Sequence, residues 1–566
     1  MSSAKPIQSE RRRARQEQTA GRAGSVEKTA EAEATDVSPP LSQKTWFLGL
    51  AGSLLLWTAF PPVGAWPLAW LAPVPWLMLV RREKLNGRRP YGVVWLTGAA
   101  FWLGVLHWLR LPHPATSLGW IALSLYLAVY LPLFVGLARV AVHRLRWPLI
   151  VAAPLVWTGL ELFQARFLTG FNMAALGNSQ HRWTSLIQVA DLAGNYGVGF
   201  VVMYGAACLA RMLPAGGRRF AVWPLAPLAA MLAATLGYGY VRLDHAPGRP
   251  GPAVALIQGS IDTELKHDPK RQWQTQQQYT ELSLEAKRRR RDLDLIVWPE
   301  TMYRNTLYTC TPDVQPPAEW TGSAAEFKDE VAKNRASICD DARWLGVPVL
   351  LGIDVAHYGR GTLERYNSAV FIDRTGEMGP RYDKMHPVMF GEYVPFAKQI
   401  PWLYRLTPLG AGIEAGSQSP VIDVGGARLA ANICYETCLP HLIRNQVATM
   451  RAAGEEPDVL VNLTNDGWFW GSSELDLHLM CGVLRAVECR KPFLIAANTG
   501  LSAWIDADGR IIEQGPRHDT AVILADVRLD GRASPYVLWG DLPAGLCLAG
   551  CLGLAVVGRR KKRSQE

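Results

Sequence analysis

The stretch RLAANICYETCLP, residues 428–440, decides what kind of chain this is. Apolar residues run almost unbroken to Ile433, followed by a thiol, a tyrosine, a glutamate, a second thiol and a proline. Such a run reads as a strand buried on both faces, and Pro440 suits the first turn of a helix. A reactive side chain between strand end and helix start lies at the carboxyl edge of an α/β sheet, where ligands bind.

Its neighbours repeat the pattern. AVALIQ (253–258), LDLIVW (293–298), VPVLLGIDV (347–355), PDVLVNLT (457–464) and KPFLIAANT (491–499) are further apolar runs, several separated by polar stretches of helical spacing. SAVFIDRTGEMGPRYDK and SAWIDADGRIIEQ each set a glycine turn between strand-like runs and predict hairpins. Residues 245–538 therefore read as an α/β domain, with no internal repeat of 20–50 residues.

The rest of the 566-residue chain differs. Apolar stretches cover 45–60, 66–80, 92–109, 117–137, 147–164, 186–210, 220–240 and 542–557, most of them close to the ~20 residues that cross a bilayer. The net charge of +10 is concentrated in RREKLNGRR (81–89), ARVAVHRLR (138–146), RMLPAGGRR (211–219) and GRRKKR (558–563). These clusters follow the second, fourth, sixth and eighth stretches, as the cytoplasmic enrichment of Lys and Arg requires if the N-terminus is cytoplasmic. We read them as topology signals and expect no nucleic-acid partner. The expected organisation is a disordered cytoplasmic tail (1–44), seven transmembrane helices (45–244), the extracytoplasmic α/β domain (245–538), an eighth transmembrane helix (539–558) and a basic cytoplasmic tail (559–566). No cleaved signal peptide is expected.

The nine cysteines show neither a disulfide framework nor zinc-ligand spacing. Cys310 and Cys339 bracket a segment where a disulfide and two free thiols are both open readings. Three α/β segments end in residues able to do chemistry: LIVWPE in Glu300, RYDKMHP in Lys384 and ANICYE in Cys434. Singly, these read as a surface or ion-paired carboxylate, a solvated lysine and a buried inert thiol. Jointly they form a set: a thiol needs a base to deprotonate it, and a nearby cation favours thiolate and a developing oxyanion. No G-x-S-x-G elbow competes, and the 11 histidines are scattered.

The order WPE, YDK, CYE resembles the Glu–Lys–Cys triad of the carbon–nitrogen hydrolase (nitrilase) superfamily. VWPE (297–300), DKMHPVMFGEYVPF (383–396), NICYE (432–436) and NDGWF (465–469) resemble its apolipoprotein N-acyltransferase branch. The resemblance implies an αββα nitrilase-like sandwich inserted late in a bundle of about eight transmembrane helices, in the bacterial cytoplasmic (inner) membrane, with the catalytic domain on the periplasmic side. It implies Glu300 as general base, Lys384 as oxyanion stabiliser and Cys434 as nucleophile. Glu392 is implied as a supporting glutamate, Tyr435 and Glu436 as residues flanking the nucleophile, and Trp468 as a substrate-binding aromatic. No cofactor or metal is implied. The implied reaction moves a fatty acyl chain from a membrane phospholipid, through a cysteine thioester, to the α-amine of a lipoprotein's diacylglyceryl-cysteine. A membrane-tethered amidase or nitrilase and a non-catalytic lipid or lipoprotein scaffold remain alternative readings. Cys438 matches no catalytic position and reads as structural. The chain departs from the branch at SPYVLWGD (534–541), where Leu538 replaces an arginine, and at NDGWFWGSSE after the tryptophan.

Overall fold

The computed structural model describes residues 44–215, 219–246, 248–262, 272–406 and 412–560. The expected tail over 1–44, Lys44 aside, and residues 561–566 of the basic tail lie outside the described residues.

All eight apolar stretches fall on helical segments. The first seven contain α1 (Thr45–Ala59), α2 (Pro73–Arg81), α3 (Pro90–Val105), α4 (Thr116–Leu127), α5 (Tyr130–Arg139), α6 (Leu149–Arg166), α7 (Ala190–Met212) and α8 (Leu225–Leu243). The 117–137 stretch holds both α4 and α5, which are joined by a turn at Ala128–Val129 and extended by a π-helical turn to Arg144, so that together they form one long apolar segment. Among the described residues, three helices are long and apolar enough to span a membrane: Thr116–Arg144, Ala190–Met212 and Leu542–Arg559. The 66–80 stretch departs most from one long helix. It is a 3-10 turn, Trp66–Trp70, followed by the nine-residue α2, because Pro67, Pro73 and Pro75 favour helix starts over helix interiors.

The basic clusters meet at one end of these helices. Arg81 donates to the carbonyls of Ala210 and Leu213, Arg139 to those of Leu79 and Glu83, and Arg144 to those of Val557 and Gly558. Two sequence clusters, 81–89 and 138–146, thus supply guanidinium groups to carbonyls at the carboxyl ends of neighbouring helices, where cations are favoured, and the acceptors at Ala210, Leu213, Val557 and Gly558 lie in or beside the other two clusters.

The opposite end carries the α/β domain, a sandwich of two sheets. One sheet runs β13 (Ala521–Leu529), β1 (Arg249–Gln258), β2 (Leu295–Val297), β4 (Val349–Tyr358), β5 (Leu363–Ile372), β6 (Met378–Asp383), with β3 (Leu307–Cys310) also paired to β4. The other runs β12 (Ile511–Gln514), β11 (Ala503–Ile505), β10 (Phe493–Ala497), β9 (Val459–Thr464), β8 (Ala427–Ile433), β7 (Ile422–Val424). Parallel pairs form the centre of each sheet, and both expected hairpins, β5–β6 and β11–β12, are present. Val254, Leu256, Val297, Ile433, Val461 and Leu494 are among the side chains filling the space between the sheets. This two-faced burial explains the near-continuous apolar runs.

Helices α9 (Gln272–Arg289) and α10 (Ala324–Leu345) cover the outer face of the first sheet. α11 (Pro440–Ala452) and α12 (Glu474–Cys489) cover the second, and α12 also packs on α7. The chain leaves the domain through a short helix, Pro535–Trp539, and enters α13 at Leu542, three residues later than expected. α13 packs along α6 and runs to Arg560.

Buried charge joins the two parts. Arg490, just past α12, donates from Nε and Nη2 to Asp191 at the start of α7, at 2.8 and 2.6 Å. A break in α7 at Ala193–Gly194 frees the N–H of Asn195, which donates to the buried Glu488 at 2.6 Å; Glu488 in turn is gripped by Arg485. Arg490→Ala strips a fully buried partner from Asp191 and should cost about 3 kcal/mol of stability. Thermal unfolding of the detergent-solubilised protein is expected to show a clearly lower midpoint, whereas Arg249→Ala, which breaks an exposed pair with Asp458, should barely move it.

Candidate active site

The three chemistry-bearing residues sit at strand ends. Glu300 follows β2 through the turn Trp298–Pro299, pressed so closely on β4 that a Cβ on Gly352 would lie 2.0 Å from the Pro299 carbonyl oxygen. Lys384 is the first residue after β6, and Cys434 the first after β8. Cys434 has φ = +51°, a left-handed conformation that a non-glycine residue adopts at a cost of about 1–3 kcal/mol. It turns the chain from β8 into a 3-10 turn, Cys434–Cys438, and then into α11.

Their side chains converge. The Lys384 ammonium, only 1% exposed, donates to Glu392 Oε1 at 2.7 Å and Glu300 Oε1 at 3.3 Å. Glu300 also accepts from Asn367 Nδ2 at 2.6 Å and, through Oε2, from the Asn465 N–H at 2.9 Å. Glu392 Oε2 accepts the Val388 N–H at 2.7 Å. Burial opposes the charge on Lys384, but Glu392, Glu300 and the adjacent thiol outweigh it and hold its pKa well above the ordinary value. Burial pushes the Cys434 thiol well up, and the Glu300 carboxylate pushes it further, while Lys384 pulls it down. The thiol therefore rests protonated, within electrostatic reach of one base and one cation.

The flanking residues build the turn. Glu436 is buried and accepts from the N–H groups of Ile433, Met385 and His386 at 2.7, 2.8 and 2.9 Å and from the Tyr382 hydroxyl at 2.8 Å. It thereby ties the Cys434 turn to the loop after Lys384. The Tyr435 hydroxyl donates to the Gly170 carbonyl at 3.0 Å, and its ring faces Phe171, so the helical part touches the residue next to the thiol. Trp468 lies in the turn Asp466–Phe469 after β9 and is 37% exposed; its neighbour Phe469 packs edge-on against Trp108. Glu300, Lys384, Glu392 and Cys434 are thus brought together, Tyr435 and Glu436 support them, and Trp468 stands at the margin.

Cys438 is buried against Cys481, and Cys310 and Cys339 are free thiols. At the departure over 534–541, Leu538 is exposed, yet Tyr536 donates to Asp541 at 2.7 Å and Arg166 pairs with the same carboxylate, which holds the chain entering α13. Sequence reasoning missed Asn367, Asn465 and His478. Asn465 and Asp466 stand at the end of β9, a signal equal to that of the other strand ends; Asn367 and His478 sit inside regular elements and carry no local signal.

The Carbon-nitrogen hydrolase family model matches residues 253–534, the span that holds strands of both sheets and this carboxylate–ammonium–thiol constellation. The Apolipoprotein N-acyltransferase N-terminal domain model matches residues 52–208. An apolipoprotein N-acyltransferase of Rhodopirellula baltica is 34% identical over 91% of this chain and 98% of its own length, and one of Geobacter metallireducens is 34% identical over 92% and 96%. The chain belongs to the apolipoprotein N-acyltransferase family and is an acyltransferase with a carbon–nitrogen hydrolase catalytic domain. Among solved structures, an amidase from Nesterenkonia sp. matches 53% of this chain and 97% of its own, at 18% identity and a TM-score of 0.34.

Because Lys384 is the group that favours thiolate, Lys384→Met should raise the thiol pKa further and lower the thiolate fraction at any given pH. Alkylation of Cys434 by iodoacetamide at pH 8, followed by peptide mass spectrometry, is expected to slow at least ~10-fold, equivalent to one pK unit.

Proposed function

We propose that this protein transfers a fatty acyl chain from a membrane phospholipid to the N-terminal α-amine of a lipoprotein's diacylglyceryl-cysteine, by way of a thioester on Cys434. Glu300 takes the thiol proton as Sγ attacks the ester carbonyl of the phospholipid. Lys384, with the backbone N–H following Cys434, stabilises the oxyanion. Collapse of the tetrahedral intermediate breaks the ester C–O bond; Glu300 returns the proton to the leaving oxygen, and lysophospholipid departs. The lipoprotein amine then attacks the thioester, Glu300 accepts its proton, and the thiol is regenerated as the amide forms. Glu392 holds Lys384, while Tyr435 and Glu436 hold the turn. Trp468 lines the approach for acyl chain and acceptor.

The observation that carries this reading is the convergence of Glu300, Lys384 and Cys434 on the side of the α/β domain that rests on apolar helices. A protonated resting thiol beside a buried carboxylate suits a mechanism in which proton removal accompanies attack. We further propose that the helices cross the bacterial inner membrane eight times, with the catalytic domain on the periplasmic side. The gathering of basic clusters at the end of the helices remote from that domain supports this orientation.

Incubation of the purified full-length protein with phospholipid is expected to give an acyl adduct on the Cys434 peptide that hydroxylamine removes. Adding a diacylglyceryl-cysteine lipopeptide should discharge it to the peptide amine, and Cys434→Ala should show neither adduct nor product. Discharge to water alone, indifferent to the lipopeptide, would identify a hydrolase instead.

A further inference from the structure

Behind the nucleophile lies a buried polar chain that the proposed reaction does not use. His478, on α12, is 2% exposed and places both ring nitrogens against oxygen: Nδ1 lies 3.1 Å from Asp466 Oδ1 and Nε2 lies 3.2 Å from the carbonyl oxygen of Cys434. A carbonyl oxygen only accepts, so Nε2 must carry a proton; an ionised carboxylate only accepts, so Nδ1 must carry one too. Burial opposes the resulting charge, but Asp466 outweighs it and the imidazole pKa stands at about 9. Thr464 Oγ1 completes the Asp466 side by donating to Oδ1 at 2.7 Å. Asn462 Nδ2 brings a second donor to the Cys434 carbonyl, at 3.2 Å.

The place of this contact matters. Cys434 is the residue with φ = +51°, and a strained conformation persists only where its surroundings over-determine it. Glu436 secures the turn from the N–H side, through Ile433, whereas His478 and Asn462 secure it through the Cys434 carbonyl itself. The helix carrying His478 is buried along nearly its whole length and packs through Leu477, Met480 and Cys481 into the apolar core of the helical part. The carbonyl is therefore held from an element that both halves of the molecule clamp.

We propose that His478 is a positioning residue for the reaction: its Nε2–H fixes the Cys434 carbonyl and with it the backbone conformation that aims Sγ at Glu300 and Lys384. The proposal rests on Cys434 being the acyl carrier. Asp466 orients the ring and keeps both nitrogens protonated, in the way a carboxylate orients an imidazole whose other nitrogen does the work.

The full-length protein tests this in three variants: His478→Ala, His478→Gln and His478→Asn. A glutamine carboxamide nitrogen reaches the position of Nε2, whereas that of asparagine reaches only the position of Nδ1. Single-turnover acylation of Cys434 by phospholipid is expected to fall on the order of 10²-fold in His478→Ala, the scale of a 1 Å misplacement of a reacting group. The dissociation constant for the lipopeptide should stay unchanged. His478→Gln should recover to within ~10-fold of the parent, one hydrogen bond's worth, and His478→Asn should not. Should the alanine variant fail to accumulate, the glutamine–asparagine pair carries the test. Equal rates in those two variants, or parental acylation in His478→Ala, would overturn the proposal. Iodoacetamide alkylation of Cys434 in the same variants separates its failure from that of the acyl-carrier reading. If the parent never acylates, alkylation still reports thiol placement and should follow the same order.

Discussion

The structure depends on one buried cation. Lys384 is surrounded by protein, and desolvating an ammonium costs several kcal/mol unless carboxylates offset it. Glu392 and Glu300 supply that offset, one at 2.7 Å and the other at 3.3 Å, so the cation is shared unequally. The shorter bond goes to Glu392, which is also tied to the backbone at Val388. Glu300 keeps the longer bond to the cation and takes compensating bonds from Asn367 and Asn465. The proposed division of labour matches this geometry: Glu392 holds the lysine at the shorter distance, and Glu300 is the base.

The same economy governs the join between the two parts of the molecule. The interface combines apolar packing with groups that each answer a specific unpaired partner. The N–H released by the break in α7 meets Glu488, and Asp191 meets Arg490 and Arg242. The Gly170 carbonyl, in the loop after α6, meets the Tyr435 hydroxyl. A purely apolar interface would allow the sandwich to slide on the helices. Charged pairs with fixed partners set its register, and Tyr435 makes that register part of the nucleophile turn.

Much of this was legible in the sequence, for identifiable reasons. Central parallel strands are apolar on both faces, so β1, β2, β4, β8, β9 and β10 announce themselves as runs, and Glu300, Lys384 and Cys434 stand out because each ends such a run or its hairpin. The edge strand β7 and the short β3 are too brief or too mixed to show. β13 alternates buried with exposed positions over its second half, where Asp526 and Arg528 face outward, and carries no residue of chemical interest to draw the eye. The helical stretches were visible by hydropathy, but prolines between 66 and 80 break one of them in a way that average apolarity conceals. Asn367 and His478 were invisible because what matters about them is a partner 67 residues away at Glu300 and one 44 residues away at Cys434. Local pattern cannot report a pairing that only the stacked sheets create.

A thioester mechanism makes a demand that hydrolysis does not. On the proposed reading the acyl group must remain on Cys434 after the first product leaves and before the second substrate arrives, with water as the competitor throughout. Protection comes from what adjoins the sulfur. Glu436 and its four donors close the floor of the turn, His478 and Asn462 close the side behind the carbonyl, and Tyr435 with Phe171 places aromatic surface from both parts of the chain beside it. On the same reading the base sits among amide donors, with Glu300 accepting from Asn367 and the Asn465 N–H beside the Lys384 ammonium. An amine delivered by a lipid-anchored acceptor gains over water on the proposed reading because its acyl chains, held by the helices, bring it to the thioester already oriented, which is what a site of hydrolase design gains from being mounted on a membrane bundle.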